Sequence, residues 1–309
     1  MIGSQEFLRL AGDPLRWRLL TELARSDRHV QELTGLLDRP QNLVSYHLGK
    51  LRAAGLVSAR RSSADARGTY YTVDLGRFGE LLAQTGRTVH PGLRLAPADP
   101  LVPAAPAERT AARLLFLCTG NSARSQIAEA LAVARSGGRV EAHSAGSRFK
   151  PLHPNTVRVM HERGIDVGSR QPKHLSIFTA DQFDYVITLC DKVREVCPEF
   201  PGHPGYIHWS IPDPAASGGN DDATLPAFRD TAAEVDRRLA YLLADWVLCR
   251  GRDQRDQRRR DGRRSRPARS RTSPRAGPGA GATDHNPAGV GTDRLYRVRR
   301  PADPYQDAP

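Results

Sequence analysis

With 309 residues and a formal net charge of +12, the chain is long enough for two separate cores. Its basic balance suggests nucleic acid, an inference weakened by its distribution, since 15 arginines against 7 aspartates in residues 251–309 supply +8 of it. Its first ten residues lack the charged-then-apolar layout of a secretory signal, and no apolar run approaches the roughly 20 residues of a membrane span; a soluble, cytoplasmic protein with no membrane contact is expected. Four cysteines, Cys118, Cys190, Cys197 and Cys249, are too few for a disulfide framework, so in a reducing compartment reactive or buried thiols are expected.

In chain order, apolar periodicity predicts helices over 14–24 and 29–37, a turn at 38–41 and a helix over 42–53. The last of these would bury Leu43, Val44, Leu48 and Leu51. A strand beginning at Gly55, a basic turn over 60–69 and a strand from Tyr70 complete a winged helix-turn-helix outline. Its second helix would lie in the major groove and its wing along the backbone. Gln41, Asn42, Ser45, Tyr46 and Lys50 are then the DNA-facing candidates, with Arg60, Arg61 and Arg67 in the wing. A small structural or dimerisation domain is the plain alternative. His29 and His47 are expected as ordinary surface residues rather than ligands.

The run VSYHLGKLRAAGLV at 44–57 resembles the ArsR-type repressors, over residues 5 to about 82. That resemblance implies double-stranded DNA as a partner and a homodimer. Many such repressors sense arsenite with cysteines in this domain, whereas residues 1–117 contain none. The sequence therefore gives this domain no thiol site.

The DNA-binding domain is assigned to 1–85, a Pro/Ala-rich semi-rigid linker to 86–111, and a second domain to 112–249. In the second domain, strands are predicted at 113–117, 140–144, 184–189 and 206–209, with helices at 122–136, 155–163 and 225–248. This alternation predicts an α/β fold, a small doubly wound parallel sheet of about four strands, with ligands beyond the carboxyl ends of the strands. Residues 250–309 are expected to be a disordered Arg-rich tail; from 251 on, 15 arginines face 7 aspartates. Its run Arg258 to Arg260 would touch phosphates non-specifically or simply be solvated.

The first strand of the second domain stops at Cys118, and CTGNSARS at 118–125 turns directly into a helix. Gly120 permits backbone angles other residues avoid. The amides of Thr119, Gly120, Asn121, Ser122 and Ala123, together with the positive end of the helix, suit an oxyanion. Arg124 adds a planar fork for bidentate contact with a tetrahedral anion. The same field favours the Cys118 thiolate, and Ser125 is placed to hydrogen-bond that sulfur. A buried strand-end cysteine is the alternative, and the assembled Cys-x5-Arg-Ser pattern argues against it. The loop suits phosphate and arsenate alike.

The third strand also ends on a cysteine, in VITLCDKVREVCP at 186–198. If the first and third strands are neighbours, Cys118 and Cys190 open onto one crevice. Cys190 and Cys197 are seven residues apart, roughly 10 Å along an intact helix. A disulfide tolerates Cα separations of about 4.4–6.8 Å, so these two can pair only if the segment between them unwinds.

Over residues 112 to about 247 the sequence resembles thioredoxin-coupled arsenate reductases, which share the low-molecular-weight tyrosine phosphatase fold. The matching stretches are 118–125, SAG at 144–146, TLC at 188–190, CP at 197–198 and HWSIPDP at 208–214. The resemblance implies that Cys118 attacks arsenate held by the loop and Arg124, with Asp213 assisting a departing oxygen. Cys190 and then Cys197 take up the oxidation, and thioredoxin reduces the final Cys190–Cys197 bond. No bound cofactor is implied. Ala123 departs from the pattern, since many members carry a further cysteine there. Lys173 lies where some relatives place an acidic cation ligand, so no required metal is expected. Cys249 lies outside the motif. The alternative is a tyrosine phosphatase using Cys118, Arg124 and Asp213 alone. Relatives with that activity usually carry proline after the Arg-Ser pair and tyrosine after Asp-Pro, where this chain has Gln126 and Ala215.

Overall fold

The computed structural model describes residues 2–65, 68–93, 112–148, 150–202, 204–216, 218 and 220–264. The amino-terminal half runs α1 (Ser4–Ala11), α2 (Pro14–Arg25), β1 (Arg28–His29), α3 (Val30–Leu37), α4 (Gln41–Ala53), β2 (Val57–Arg61), β3 (Thr69–Val73) and α5 (Leu75–Val89). Local chemistry sets these boundaries. Asp13 caps α2 by accepting from the amides of Leu15 and Arg16, and Pro14 supplies the preset first turn. Asp38 leaves α3 in the left-handed conformation, and Pro40 precedes α4. β1, β3 and β2 form an antiparallel sheet in that order. Helices α1 to α4 close over a core that includes Phe7, Leu19, Leu33, Leu37, Val44, Leu48 and Leu51.

Helix α4 corrects two expectations. Its buried positions are Val44, His47, Leu48 and Leu51, an i, i+3, i+4, i+7 stripe; Leu43 falls off that stripe and is exposed. His47 is accordingly buried rather than a surface residue, with Nδ1 3.7 Å from Asp13 Oδ1. Helix α5 was not foreseen, and it crosses the expected domain boundary at 85/86. Most of the expected linker, 94–111, lies outside the described residues.

The second half runs β4 (Ala112–Cys118), α6 (Arg124–Ser136), β5 (Val140–Gly146), α7 (Pro154–His161), β6 (Tyr185–Thr188), α8 (Asp191–Glu195), β7 (Gly205–His208) and α9 (Asp221–Arg264). A single 3-10 turn, Leu175–Phe178, precedes β6. The four strands form a parallel sheet ordered β5-β4-β6-β7, as the α/β alternation predicts. β4 is almost wholly buried, which explains its unbroken apolar run: a parallel sheet is covered on both faces. The Ala-rich helix α6 packs against β4 and β5, stopping at Gly137 in the left-handed region.

Helix α9 runs to Arg264, past the end expected at residue 248. Arg and Gln are good helix formers, and no proline interrupts them before Pro267. Residues 265–309 lie outside the described residues. Both sheets belong to one compact unit, residues 1–259. Among the described residues no helix is long and apolar enough to cross a membrane.

Candidate functional site

The central strands β4 and β6 are direct neighbours, with Leu117 in register with Thr188, so Cys118, one residue past Leu117, and Cys190, two residues past Thr188, come to the same end of the sheet. Cys118 is buried at the end of β4 and Cys190 is buried at the amino end of α8. Thr119 Oγ1 joins them, 3.2 Å from Cys190 Sγ.

The loop from Cys118 to Ser125 curls around the Cys118 sulfur. The Asn121 amide donates to it at 3.2 Å, and Ser125 Oγ lies 2.9 Å away. Asn121 adopts a positive φ of 47°, a conformation that Asn tolerates better than most residues. Its side chain secures the loop from both ends. The Asn121 amide group donates to Ser125 Oγ at 2.9 Å and Ser144 Oγ at 2.8 Å. Its carbonyl accepts from Gln126 at 3.1 Å and from the Lys173 backbone at 2.7 Å.

The sequence motif at 144–146 now has a physical reason. Ser144 is a partner of Asn121, and Gly146, paired with Cys118 across β4 and β5, leaves room for the loop. A Cβ at Gly146 would sit 2.8 Å from both the Asn121 amide nitrogen and the Thr119 carbonyl oxygen.

Helix α6 starts from Ala123, which offers no side-chain cap, so the first-turn amides are left for an anion. Arg124 is 6% exposed. Its Nη1 donates to the Ile211 carbonyl at 3.0 Å and its Nη2 lies 3.2 Å from Asp213 Oδ2, while its buried Nε has no hydrogen-bond partner among the described residues. The guanidinium and the half-exposed Asp213 therefore face each other beside the loop. Thr119, Gly120, Asn121, Ser122 and Ala123 form the strand-to-helix turn, and Arg124 and Ser125 open α6.

Cys197 lies beyond α8, partly buried and unpaired; burial pushes its thiol up to about 11. The Lys173 ammonium lies 3.5 Å from Glu129. Among the described residues no cluster of His, Cys, Asp or Glu is arranged to hold a metal. The side chain of Cys249 lies outside the described residues.

On the first domain, Gln41, Asn42, Ser45, Tyr46 and Lys50 all lie exposed on α4, with the Lys50 ammonium 5.4 Å from the Tyr46 ring centre. Arg61 is exposed on β2 and Arg67 lies outside the described residues. Arg60 is placed differently. Its guanidinium turns onto the second domain, reaching Asp191 at 2.9 Å and the Ser210 carbonyl at 3.0 Å. Sequence reasoning missed Asp191, which is fully buried at the start of α8. Its partners His208 and Ser210 lie 17 and 19 residues away and Ser63 and Arg60 lie 128 and 131 away, so no local pattern marks it.

Residues 113–248 match the family described as low molecular weight phosphotyrosine protein phosphatase, and residues 13–59 match the bacterial regulatory protein, arsR family. An arsenate reductase of Halalkalibacterium halodurans is 35% identical over 126 residues, 41% of this chain and 91% of that protein. The arsenate reductase of Bacillus subtilis is 36% identical over the same length, with the same shares of 41% and 91%. A solved structure described as "An arsenate reductase in the phosphate binding state" is 28% identical, covers 43% of this chain and 98% of that one, and has a TM-score of 0.37. The arsenate reductases of the low-molecular-weight phosphatase type are thus the family to which this chain belongs, joined here to an amino-terminal regulatory domain of the arsR family.

Proposed function

We propose that the chain reduces arsenate to arsenite through Cys118, Cys190 and Cys197, with thioredoxin as the reductant, and that its first domain binds duplex DNA as a regulator. The single observation that carries the enzymatic reading is the placement of Cys118, in its amide- and hydroxyl-lined loop, and Cys190, just past the adjacent strand, at one end of the sheet, with Thr119 Oγ1 3.2 Å from the Cys190 sulfur. Arsenate occupies the loop against the first-turn amides of α6 and Arg124. Cys118 attacks arsenic and a water departs, Asp213 giving a proton to the leaving oxygen.

Cys190 then attacks the Cys118 sulfur. The S–S bond forms, the As–S bond breaks, and its electron pair stays on arsenic, which leaves as arsenite. Cys197 attacks Cys190, releasing the Cys118 thiol and leaving a Cys190–Cys197 disulfide. Thioredoxin's two thiols reduce that bond by exchange. Arsenate-dependent NADPH oxidation, coupled through thioredoxin and its reductase, tests the scheme. Cys118→Ser, Cys190→Ser and Cys197→Ser are each expected to abolish turnover.

Asp213 beside Arg124 favours a second reading, phosphate monoester hydrolysis, which needs neither Cys190 nor Cys197. Strong phosphatase turnover with no thioredoxin-dependent arsenate reduction would establish it instead. The DNA-binding reading is supported by the exposed polar face of α4. A homodimer is supported by Leu8 and Leu82, which remain exposed on the mutually packed helices α1 and α5.

A further inference from the structure

Helix α8 has five residues, and two of them are tied to the winged-helix domain. The Asp191 carboxylate accepts from Arg60 Nη2 at 2.9 and 3.1 Å, from the Ser63 amide at 2.6 Å and from the Ser63 hydroxyl at 3.0 Å. Arg60 and Ser63 belong to the wing, at the end of β2 and just after it. Three residues on, Arg194 donates to Tyr70 Oη at 3.1 Å and pairs with Glu32 of α3. Its guanidinium lies 5.4 Å from the Tyr70 ring centre. Residues 191 and 194 share one face of α8, so this short helix is gripped as a unit. Cys190 is its N-cap and Cys197 follows its end.

That placement has a geometric consequence. Helix α8 occupies five of the six residues between 190 and 197, and a helical rise over that span sets their Cα atoms roughly 10 Å apart, beyond the 4.4–6.8 Å or so that a disulfide allows. Pairing Cys190 with Cys197 must therefore unwind α8. An unwound segment cannot keep Asp191 and Arg194 on one face.

We propose that the junction is a thiol-controlled clamp, in which α8 holds the wing through Asp191 and Arg194 while Cys190 and Cys197 are reduced, and a disulfide between them releases it. The oxidation state of the second site is thereby transmitted to the surface carrying Arg60, a cation that the dithiol form keeps paired with Asp191. The proposal rests on the relay reading for its physiological oxidant. The two thiols give up two electrons and two protons, and arsenate takes them up, becoming arsenite and water.

Residue-resolved hydrogen exchange on the full chain tests the clamp, with the Ser63 amide as reporter and intact-mass plus peptide mapping to establish which sulfurs are joined. The oxidants are arsenate and, separately, the thiol oxidant diamide, which takes up the same electrons and protons as a hydrazine. In the dithiol form the Ser63 amide is expected to be protected. Once the Cys190–Cys197 bond has formed, exchange is expected to accelerate by at least about tenfold. Cys197→Ser under the same oxidants should stay protected, and Asp191→Asn should exchange fast even when reduced.

A mapped Cys190–Cys197 bond with unchanged Ser63 exchange overturns the clamp and leaves the relay standing. A bond formed by diamide but never by arsenate overturns the relay, and the Ser63 result then judges the clamp alone. No such bond under either oxidant overturns both.

Discussion

Asn121 is the residue on which the oxyanion loop turns. It supplies one amide to the Cys118 sulfur and fixes the loop through four side-chain hydrogen bonds, all within a left-handed turn that Gly146 must accommodate. Gly146→Ala would drive a methyl into backbone atoms on two sides, so the loop rather than the side chain has to give. A destabilisation of about 1–3 kcal/mol is expected, measured by urea titration. A displaced loop should also lower arsenate turnover by on the order of a hundredfold, which separates the effect from simple loss of folded protein. Cys197 poses a different question, because burial holds its thiol near 11 against an ordinary 9. At neutral pH its thiolate fraction is then about a hundredfold below that of a solvated thiol. Peptide-resolved alkylation with iodoacetamide at pH 7.5 should find Cys197 slow in the folded chain and fast in urea. Equal rates in both would mean that burial does not control this sulfur. Such protection suits the last thiol of the proposed relay, which should react only after α8 has opened.

At the scale of elements, α4 and the wing divide the candidate DNA contacts into two sets that behave differently. Lys50 is exposed on α4, while Arg60 is engaged by Asp191. In the dithiol protein, Lys50→Ala should reduce the salt dependence of binding by about 0.9 in the log–log slope. Arg60→Ala should leave that slope unchanged. Fluorescence anisotropy on a duplex from upstream of the protein's own coding region measures both, and equal slope changes would show that Arg60 is free to reach phosphate. The helices and strands were legible in the sequence wherever one face is buried by near neighbours. β4 and α6 follow directly from an apolar run and an Ala-rich amphipathic stretch. The site was legible for the same reason: Cys118 through Ser125 is contiguous, and Cys190 is placed by the pairing of β4 with β6. His47 rather than Leu43 faces the core because helical phase, not side-chain hydrophobicity, decides which side of α4 is covered. The junction was invisible, since Ser26, Asp27, Glu32 and Ser63 lie more than a hundred residues from their partners and no periodicity records such a distance.

For the molecule as a whole, that junction concentrates buried charge, and Asp191 and His208 both contribute to its response to acid. Burial opposes ionisation of Asp191, yet hydrogen bonds from His208, Ser210 and the Ser63 amide, with the Arg60 charge, hold its carboxyl well below the usual carboxylate range. Burial also holds His208 below the ordinary imidazole value, outweighing the opposite pull of Asp191. A neutral His208 donates from Nε2 to Asp191 at 3.1 Å and accepts the Thr188 hydroxyl at Nδ1 at 2.8 Å, an assignment set by those partners. The Tyr70 ring packs 4.6 Å away, and the charges of Arg194 and Asp27 also act on it. For both groups the unfolded chain binds more protons than the folded one, so acid lowers stability. The contribution of His208 is complete above about pH 6.5 and is lost as pH falls below that; the contribution of Asp191 persists to about pH 4 and is lost beneath it. Calorimetric Tm is therefore expected to be level between pH 8 and 7, to decline from near 6.5, and to fall again below 4. His208→Gln keeps a polar side chain without the titration and should flatten the first decline while sparing the second. A first decline of the same size in that variant would move the titrating group away from the junction and onto one of the other histidines.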